Sequence, residues 1–349
     1  MAARSISDFI ASLPKTEIHI HAEATVSFDS YFSLNQKYNA DSSLKRPDDF
    51  RKLLEMDSLG VMIKNFFYLQ SLFRSPEDFR LVVSDVQAYA RRNNIRYMEL
   101  FVAPSMVLKG GNIDFEGIMD PLVEGFERAA ATPDGVDIRI LVDVSRSFGK
   151  DNASRNFHHL LSYLSRRRTD RILGIGLGGQ EMGNPCIAYK DVFREAREAG
   201  LHAVAHAGEE VGPESIRDAV LELGAERIGH GTSAIQDPSL MDLLKDRGIP
   251  LEICPTSNVV TGKYVRSYAD HPMKAFLARG LLVTLNTDDP VLFDVELNGE
   301  FGNAARHLGW TASQIVTVLR NGIRATFMDE SGKAAALARL DAQLPKPKA

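Results

Sequence analysis

Apolar and polar positions follow two alternating periods along most of the chain. Short runs rich in Val, Ile and Leu, typical of buried parallel strands, are followed by stretches whose apolar residues recur at helical spacing. Eight strand segments are predicted in this way, at residues 16–21, 95–102, 136–144, 171–177, 201–205, 227–231, 250–254 and 281–285. This order predicts one α/β domain over residues 1–349, a (β/α)8 TIM barrel, with an open doubly wound sheet as the alternative.

A long stretch after the first strand interrupts the alternation. Residues 27–75 are predicted to form a helical insertion, because apolar side chains recur in their second half at helical spacing: Leu54, Leu59, Met62, Phe66, Leu69 and Phe73. This insertion either caps a site or packs into the core. Ser75-Pro76-Glu77-Asp78 predicts the start of the next helix. After the last strand, a capping box from Thr311 to Gln314 predicts an additional C-terminal helix, and residues 345–349 are predicted to be a loose tail.

The composition excludes several classes of function. The 349 residues carry a net charge of −5 and a pI of about 6.0, so nothing indicates a surface for nucleic acid. No apolar run approaches the roughly 20 residues of a membrane span, and residues 1–13 lack the apolar core of a signal peptide. The two cysteines, Cys186 and Cys254, fit a reducing compartment. The sequence therefore predicts a cytoplasmic protein and leaves the oligomeric state open.

Candidate catalytic side chains cluster where the predicted strands end. His19 and His21 share one face of the first strand. Other polar residues follow later strands, namely His206, Glu209, His230, Asp288 and Asp289. A single buried histidine is ordinarily a core residue, but the C-terminal strand ends of a barrel meet at one rim. Imidazoles and carboxylates without cysteine suit a catalytic Zn²⁺ or Fe²⁺.

Four motifs in order identify a resemblance to a known family. They are His19-Ile20-His21, His206-Ala207-Gly208-Glu209, Gly229-His230-Gly231 and Asn286-Thr287-Asp288-Asp289-Pro290. In order and spacing they resemble the adenosine deaminase family of the amidohydrolase superfamily. The resemblance implies hydrolytic deamination of a 6-aminopurine nucleoside, adenosine or 2′-deoxyadenosine, by a metal-bound hydroxide. The alternatives are a modified or 5′-substituted adenine nucleoside, free adenine, or a purine-binding barrel without catalysis.

The resemblance also implies roles for single residues. One Zn²⁺ per chain, or Fe²⁺ in its place, would be held by His19, His21, His206 and Asp288. Glu209 would protonate purine N1, and His230 would position or deprotonate the metal-bound water. Asp289 would meet N7 of the ring, and the backbone N–H of Gly179 would meet N3. Strand residues 172–177 include no Lys, Cys or acid that could bridge a second ion, which favours a single metal.

Three positions depart from the pattern usual in that family. Ala22-Glu23-Ala24 stands where Leu, an acid and Gly are usual, and Gly176 begins a stretch that usually begins with Asp. Phe101 replaces a usual Arg. Substrate contacts are expected from His21, from Glu23 to a 5′-hydroxyl, and from the apolar walls Phe66 and Phe101. A carboxylate near the 5′ position predicts a neutral nucleoside as substrate and AMP as a poor one.

Overall fold

Eight parallel strands form a barrel in the computed structural model, which describes residues 5–133 and 135–345. They are β1 (Lys15–His21), β2 (Ile95–Val102), β3 (Asp137–Asp143), β4 (Ile172–Leu177), β5 (His202–Ala207), β6 (Arg227–His230), β7 (Leu251–Ile253) and β8 (Val283–Leu285). Each strand pairs with the next one along the chain, which confirms the predicted barrel. Most of the tail predicted to be loose, residues 346–349, lies outside the described residues.

Hydrogen bonds between the segment after β8 and β1 bring the two ends of the sheet together. The N–H of His21 donates to the carbonyl of Asp288 at 2.9 Å, and the N–H of Asp288 donates to the carbonyl of His19 at 3.1 Å. The side-chain oxygen of Asn286 accepts the N–H of Ile18 at 3.1 Å. The barrel is therefore joined through the same residues that the sequence singles out for chemistry.

Seventeen α-helices lie within the described residues and are numbered along the chain. The first nine are α1 (Ile6–Ser12), α2 (Phe28–Tyr38), α3 (Asp49–Leu53), α4 (Leu59–Gln70), α5 (Phe79–Arg92), α6 (Ser105–Gly110), α7 (Phe115–Ala130), α8 (Lys150–Arg166) and α9 (Lys190–Glu198). The others are α10 (Pro213–Asp218), α11 (Pro238–Asp246), α12 (Pro255–Val260), α13 (Met273–Arg279), α14 (Pro290–Phe293), α15 (Leu297–Leu308), α16 (Ala312–Ala325) and α17 (Glu330–Gln343). Among these residues no helix combines the length and the apolar character needed to cross a membrane.

Local capping accounts for the helix starts that the sequence predicts. The carboxylate of Asp237 accepts the N–H of Ser239 and of Leu240 at the start of α11. Thr311 opens α16 with the predicted capping box. The helix predicted to begin at Ser75 starts as a 3₁₀ turn, Pro76–Asp78, and continues as α5.

The insertion after β1 differs from its prediction in two respects. Its apolar stripe is divided, because α3 ends at Leu53 and α4 begins only at Leu59. Asp57 and Ser58 directly precede α4, and such residues favour helix starts over helix interiors. A helix at residues 28–38, α2, has no counterpart in the predicted stripe.

The inside of the barrel holds a buried ion network below the rim. Arg227 on β6 is fully buried, with Nη1 placed 2.5 Å from Oε2 of Glu99 and Nε placed 2.6 Å from Oε1 of Glu252. Its guanidinium also lies over the ring of Phe327, 3.9 Å from the centroid. Charges at such depth are tolerated because they are paired.

Candidate active site

Four side chains at the rim direct their polar atoms to one point. His19 and His21 lie on β1, His206 lies on β5 and Asp288 follows β8. Nε2 of His21 is 3.3 Å from Nε2 of His206 and 3.4 Å from Oδ1 of Asp288, and Nε2 of His19 is 3.4 Å from the same oxygen. A tetrahedral ion with ligands at about 2.1 Å needs ligand atoms about 3.4 Å apart, so this spacing fits one ion.

Hydrogen bonds from behind hold two of these side chains in place. Nδ1 of His19 is 2.7 Å from Oε2 of Glu252, and the hydroxyl of Ser257 donates to Oδ2 of Asp288 at 2.7 Å. Nε2 of His19 has no hydrogen-bond partner among the described residues. A histidine whose far nitrogen meets a carboxylate while its near nitrogen is unpaired has the arrangement of a metal ligand.

The charges at this point favour a cation. Burial opposes protonation of His19, but the neighbouring carboxylates of Asp288 and Glu252 raise its pKa to about 9. Burial opposes protonation of His21 too, and the carboxylates of Asp289 and Asp288 raise its pKa to about 10. Burial likewise opposes ionisation of Asp288, yet the two neighbouring histidines hold its pKa well below the ordinary value. Since a divalent cation can take the place of such protons, the donor set fits Zn²⁺ or Fe²⁺.

The Phe101 ring lies under this group and does not line the cavity above it. Its centroid is 5.1 Å from the ring of His19, 5.2 Å from that of His21 and 5.2 Å from that of His206. The ring is fully buried inside the barrel, against Leu141 and Val204. Phe101 pairs in register with His21 at the end of β1, but its ring packs inside the barrel and not on the cavity wall where it was expected.

A chain of hydrogen bonds fixes the tautomer of His230. The backbone N–H of Met273 can only donate, and it meets Nδ1 of His271 at 3.1 Å. Nε2 of His271 therefore carries the proton and donates to Oδ1 of Asn258 at 3.2 Å. The Asn258 amide then donates to Nδ1 of His230 at 3.0 Å. Burial lowers the pKa of His230 to about 3, so its ring is neutral with the proton on Nε2, which faces the site.

Glu209 is held beside His230 on the loop after β5. Its Oε2 is 3.4 Å from Nε2 of His230, and its Oε1 accepts the hydroxyl of Thr261 at 3.0 Å. Burial, followed by the charges of Asp288 and Glu181, raises the pKa of Glu209 well above its ordinary value. The buried carboxyl therefore favours its protonated form, as a general acid requires.

The carboxylate of Glu181 anchors the loop that carries Glu209. It accepts the backbone N–H groups of four consecutive residues, Gly208, Glu209, Glu210 and Val211, at 2.7 to 3.1 Å. The hydroxyl of Ser215 at the start of α10 is a fifth partner. Five donors on one carboxylate fix the backbone of the loop and thereby the direction of the Glu209 side chain.

Most of the predicted site residues line one cavity, which lies above the four possible metal ligands. Those that line it are His21, Phe66, Gly179, His206, Glu209, His230, Asp288 and Asp289. Helix α4 of the insertion supplies one wall, through Leu59, Met62, Ile63, Phe66, Phe67 and Gln70. His19 lies beneath the cavity as a member of the group that could hold a metal.

Asp289 and Gly179 line the cavity outside the α4 wall. Oδ1 of Asp289 is buried without a hydrogen-bond partner among the described residues. Burial and the neighbouring Asp288 raise the pKa of Asp289 to about 8. Gly179 has a φ of 93°, and a Cβ there would lie 2.5 Å from Oγ of Ser147, so only glycine fits this turn.

Glu23 lies behind the cavity wall and not at its mouth. A 3₁₀ turn, Glu23–Thr25, directs its carboxylate back into the protein, where Oε1 accepts the amide of Gln70 and the N–H of Ala103, each at 3.0 Å. Those two partners line the cavity, whereas Glu23 does not. From its place two residues after His21, Glu23 was expected to reach the mouth of the site; its side chain lies behind the cavity wall instead. Its second oxygen is buried without a partner among the described residues, so an acceptor remains just behind the wall.

Several residues of the site were not singled out from the sequence. Glu252, Glu181, Asn258 and His271 support the side chains that were. A charged residue inside a short apolar strand, as in Leu251-Glu252-Ile253, is a signal that could have indicated an inward-facing partner. Glu181 and His271 lie between helices and strands and Asn258 lies in the short helix α12, where sequence spacing does not reveal the direction of a side chain.

Comparisons with known proteins agree with this geometry. The family model described as "Adenosine deaminase" matches residues 14–343. An aminodeoxyfutalosine deaminase of Streptomyces avermitilis is 36% identical over 338 residues, covering 97% of this chain and 93% of the relative. An adenosine deaminase of Erwinia tasmaniensis is 35% identical over 337 residues, covering 95% and 99%. A solved amidohydrolase structure from Burkhoderia ambifaria with bound Zn superposes with a TM-score of 0.86 at 25% identity, covering 97% of this chain and 94% of that one.

The packing of Phe101 leads to a prediction about Gly176. A Cβ at Gly176 would lie 2.5 Å from Cε1 of Phe101, so we expect Gly176→Ala to lower the free energy of unfolding by about 1–3 kcal/mol. In a Phe101→Leu background the loss should largely disappear, because the ring edge is gone. Urea unfolding of the four proteins of this cycle measures the coupling.

The matched control is Gly60→Ala, since a Cβ at Gly60 meets no atom within 4 Å. This change should leave stability unchanged or slightly raised. An equal loss from Gly176→Ala in both backgrounds would show that Phe101 does not require this glycine.

Proposed function

Because the chain belongs to the adenosine deaminase family of metal-dependent hydrolytic deaminases, we propose that it deaminates a neutral 6-aminopurine nucleoside. Adenosine and 2′-deoxyadenosine are the proposed substrates, with inosine or 2′-deoxyinosine and ammonia as products. The observation that carries the proposal is that the four possible metal ligands, Glu209, His230 and Asp289 meet around one cavity. A protein that only bound purines would need neither a protonated Glu209 nor an oriented His230.

We propose one Zn²⁺ per chain, with Fe²⁺ as the alternative, held by His19, His21, His206 and Asp288. The tetrahedral spacing of their polar atoms supports this ligand set. When bound, such a cation lowers the pKa of a water to about 7 and so supplies a nucleophile at neutral pH. Strand β4, Ile172–Leu177, offers no group to bridge a second cation, which supports a single metal.

Three groups of this chain would hold and activate the purine. Glu209 donates its proton to N1, which withdraws electrons from C6 and opens this carbon to attack. Asp289, protonated near neutral pH, donates a hydrogen bond to N7, which has only a lone pair to offer. The N–H of Gly179 donates to N3. The water adds its oxygen to C6 and loses both protons: one passes to the amino nitrogen, which leaves as ammonia when the C–N bond breaks, and the other restores the proton of Glu209.

His230 would orient the attacking water. Its Nδ1 is occupied by Asn258, so its Nε2–H can donate to the oxygen of that water. Of the two roles that the family resemblance implies, positioning agrees with this tautomer better than removal of a proton. His271 and Asn258 would then act on catalysis only through His230.

The α4 wall of the cavity is apolar, which bears on the kind of substrate that can bind. We propose that the insertion, about residues 27–75, caps the cavity with the apolar side chains of α4. No Lys or Arg is among the described residues that line the cavity, whereas Asp143, Glu209 and Asp289 are. Such a wall suits a neutral sugar, and its apolar part would also accept a 5′-substituted adenine nucleoside, the second candidate substrate class.

A cytoplasmic location is part of this proposal. Cys186 and Cys254 are both buried and unpaired, as is usual in a reducing compartment.

Elemental analysis tests the metal proposal. Protein purified without added metal should contain close to one Zn²⁺ or Fe²⁺ per chain. Asp288→Asn should reduce this content, because the amide replaces the single charged ligand. The matched control is Asp242→Asn, an exposed acid that pairs with Arg279. Two metals per chain, found repeatedly, would contradict a mononuclear site.

Replacing Glu209 tests the general acid. Glu209→Gln keeps the shape of the side chain but cannot transfer a proton to N1, so we expect kcat to fall by at least about 100-fold. Metal content and nucleoside binding should be retained. The neighbouring half-buried Glu210, changed to Gln, serves as control only for solubility and yield, because its carboxylate accepts the N–H of Met182. Near-normal turnover by Glu209→Gln would rule out this role.

A substrate panel tests the proposed function as a whole. Ammonia release should be measured for adenosine, 2′-deoxyadenosine, 5′-methylthioadenosine, adenine and AMP at low salt. No Lys or Arg among the described residues lines the cavity to pair with a phosphate, whereas Asp143, Glu209 and Asp289 do line it. One like-charge pair about 4 Å apart costs about 4 kcal/mol at an effective dielectric of 20. We therefore expect kcat/KM for adenosine to exceed that for AMP at least about 100-fold, with salt narrowing the gap. Equal values for adenosine and AMP would contradict a neutral substrate.

A further inference from the structure

Two buried polar side chains of the cavity wall have no part in the proposed chemistry. Asp143 is the last residue of β3, and Ser145 follows it by two positions. Both line the cavity, and each is only 3% exposed. They lie beside Gly178 and Gly179, which follow β4, whereas the apolar wall of the cavity belongs to the insertion after β1.

One oxygen of Asp143 is bound by the protein and the other is not. Oδ1 accepts the N–H of Ser145 at 2.7 Å and the N–H of Gly178 at 2.9 Å. Oδ2 has neither a hydrogen-bond donor nor an ion-pair partner among the described residues. The nearby Arg146 is engaged elsewhere, since its guanidinium donates to the carbonyls of Asn184 and His206. Because the residue is otherwise buried and lines the cavity, a ligand in the cavity can supply the donor that this oxygen lacks.

Ser145 adds a hydroxyl at the same place. Its Oγ has no hydrogen-bond partner among the described residues, so it is free to bond a ligand. The two glycines after β4 allow this close approach. A Cβ at Gly178 would lie 2.7 Å from Oδ2 of Asp143, and one at Gly179 would lie 3.2 Å from Oγ of Ser145.

The position of Gly179 locates these groups relative to a bound substrate. This step rests on the proposed function, in which the N–H of Gly179 meets N3 of the purine. N3 is separated by one ring carbon from N9, the atom that carries the sugar. Groups packed against Gly179 therefore lie next to the first ring atoms of the sugar and not next to its 5′ end.

We propose that Asp143 and Ser145 form a subsite for a ring hydroxyl of the substrate's ribose, at the 2′ or the 3′ position. The hydroxyl donates to Oδ2 of Asp143, and Ser145 provides a second bond through its Oγ. A hydrogen bond to a charged group contributes about 1.5–3 kcal/mol, so the nucleoside that lacks this hydroxyl should bind at least about 10-fold more weakly.

Equilibrium binding to the metal-loaded protein tests the subsite apart from catalysis. Calorimetry gives Kd for the product inosine and for its 2′-deoxy, 3′-deoxy and 5′-deoxy forms, with the wild type and with Asp143→Asn, Asp143→Ala and Ser145→Ala. We expect the wild type to lose at least about 10-fold in affinity when the 2′ or the 3′ hydroxyl is absent. In Asp143→Asn and Asp143→Ala this difference should shrink to about 3-fold or less. Ser145→Ala should reduce it in part.

The control is Asp151→Asn, an exposed acid in the first turn of α8, which should leave every ratio unchanged. A loss in Asp143→Ala by the same factor for all four ligands would overturn the subsite, since it would indicate a structural role alone. Coupling of Asp143 to the 5′-hydroxyl would overturn it as well, and so would a wild type that binds none of the four. Ammonia release from adenosine, measured on the same samples, judges the proposed function separately.

Discussion

An excess of buried negative charge at one rim of the barrel is the constraint on which the site depends. Asp143, Glu209, Asp288 and Asp289 are each no more than 6% exposed, and Glu23 lies just behind the wall. Neutral imidazoles do not balance such charge. Two features reduce the cost of burying this charge. First, some carboxyl groups take up a proton, as the raised pKa of Glu209 and of Asp289 indicates. Second, Asp288 stays ionised, and the three imidazoles beside it leave room for a cation.

The ion network inside the barrel connects the charged groups of the site to a buried arginine below them. Arg227 pairs with Glu252, and Glu252 bonds to His19, so a cation at the rim and a guanidinium below it share one carboxylate. Phe101 lies beside this path and contacts three of the imidazole rings. These contacts position the metal ligands from inside the barrel, without any contribution from the α4 wall on the opposite side of the cavity.

The sequence predicts the barrel and the central group of residues well, for a physical reason. Parallel strands bring their C-terminal ends together, so residues such as His19, His206 and Asp288, far apart in the chain, are expected at one rim. What it does not provide is the depth and direction of a side chain near that rim. Glu23 follows His21 by two residues, yet the turn at 23–25 directs it behind Gln70 and Ala103. Phe101 was expected beside the sugar and lies under the metal group instead.

Two of the departures from the family pattern, at Phe101 and Gly176, involve positions that lie close together inside the barrel. Phe101 and Gly176 stand where the resemblance leads one to expect Arg and Asp, a pair of opposite charges. In this chain the ring of Phe101 occupies the space that a side chain at Gly176 would need. Gly176 pairs in register with Asp143 on the neighbouring strand, so a carboxylate is still present at this level of the barrel. One of its oxygens is open to the cavity, and the guanidinium of the nearby Arg146 donates to backbone carbonyls instead, so this carboxylate is available to the substrate.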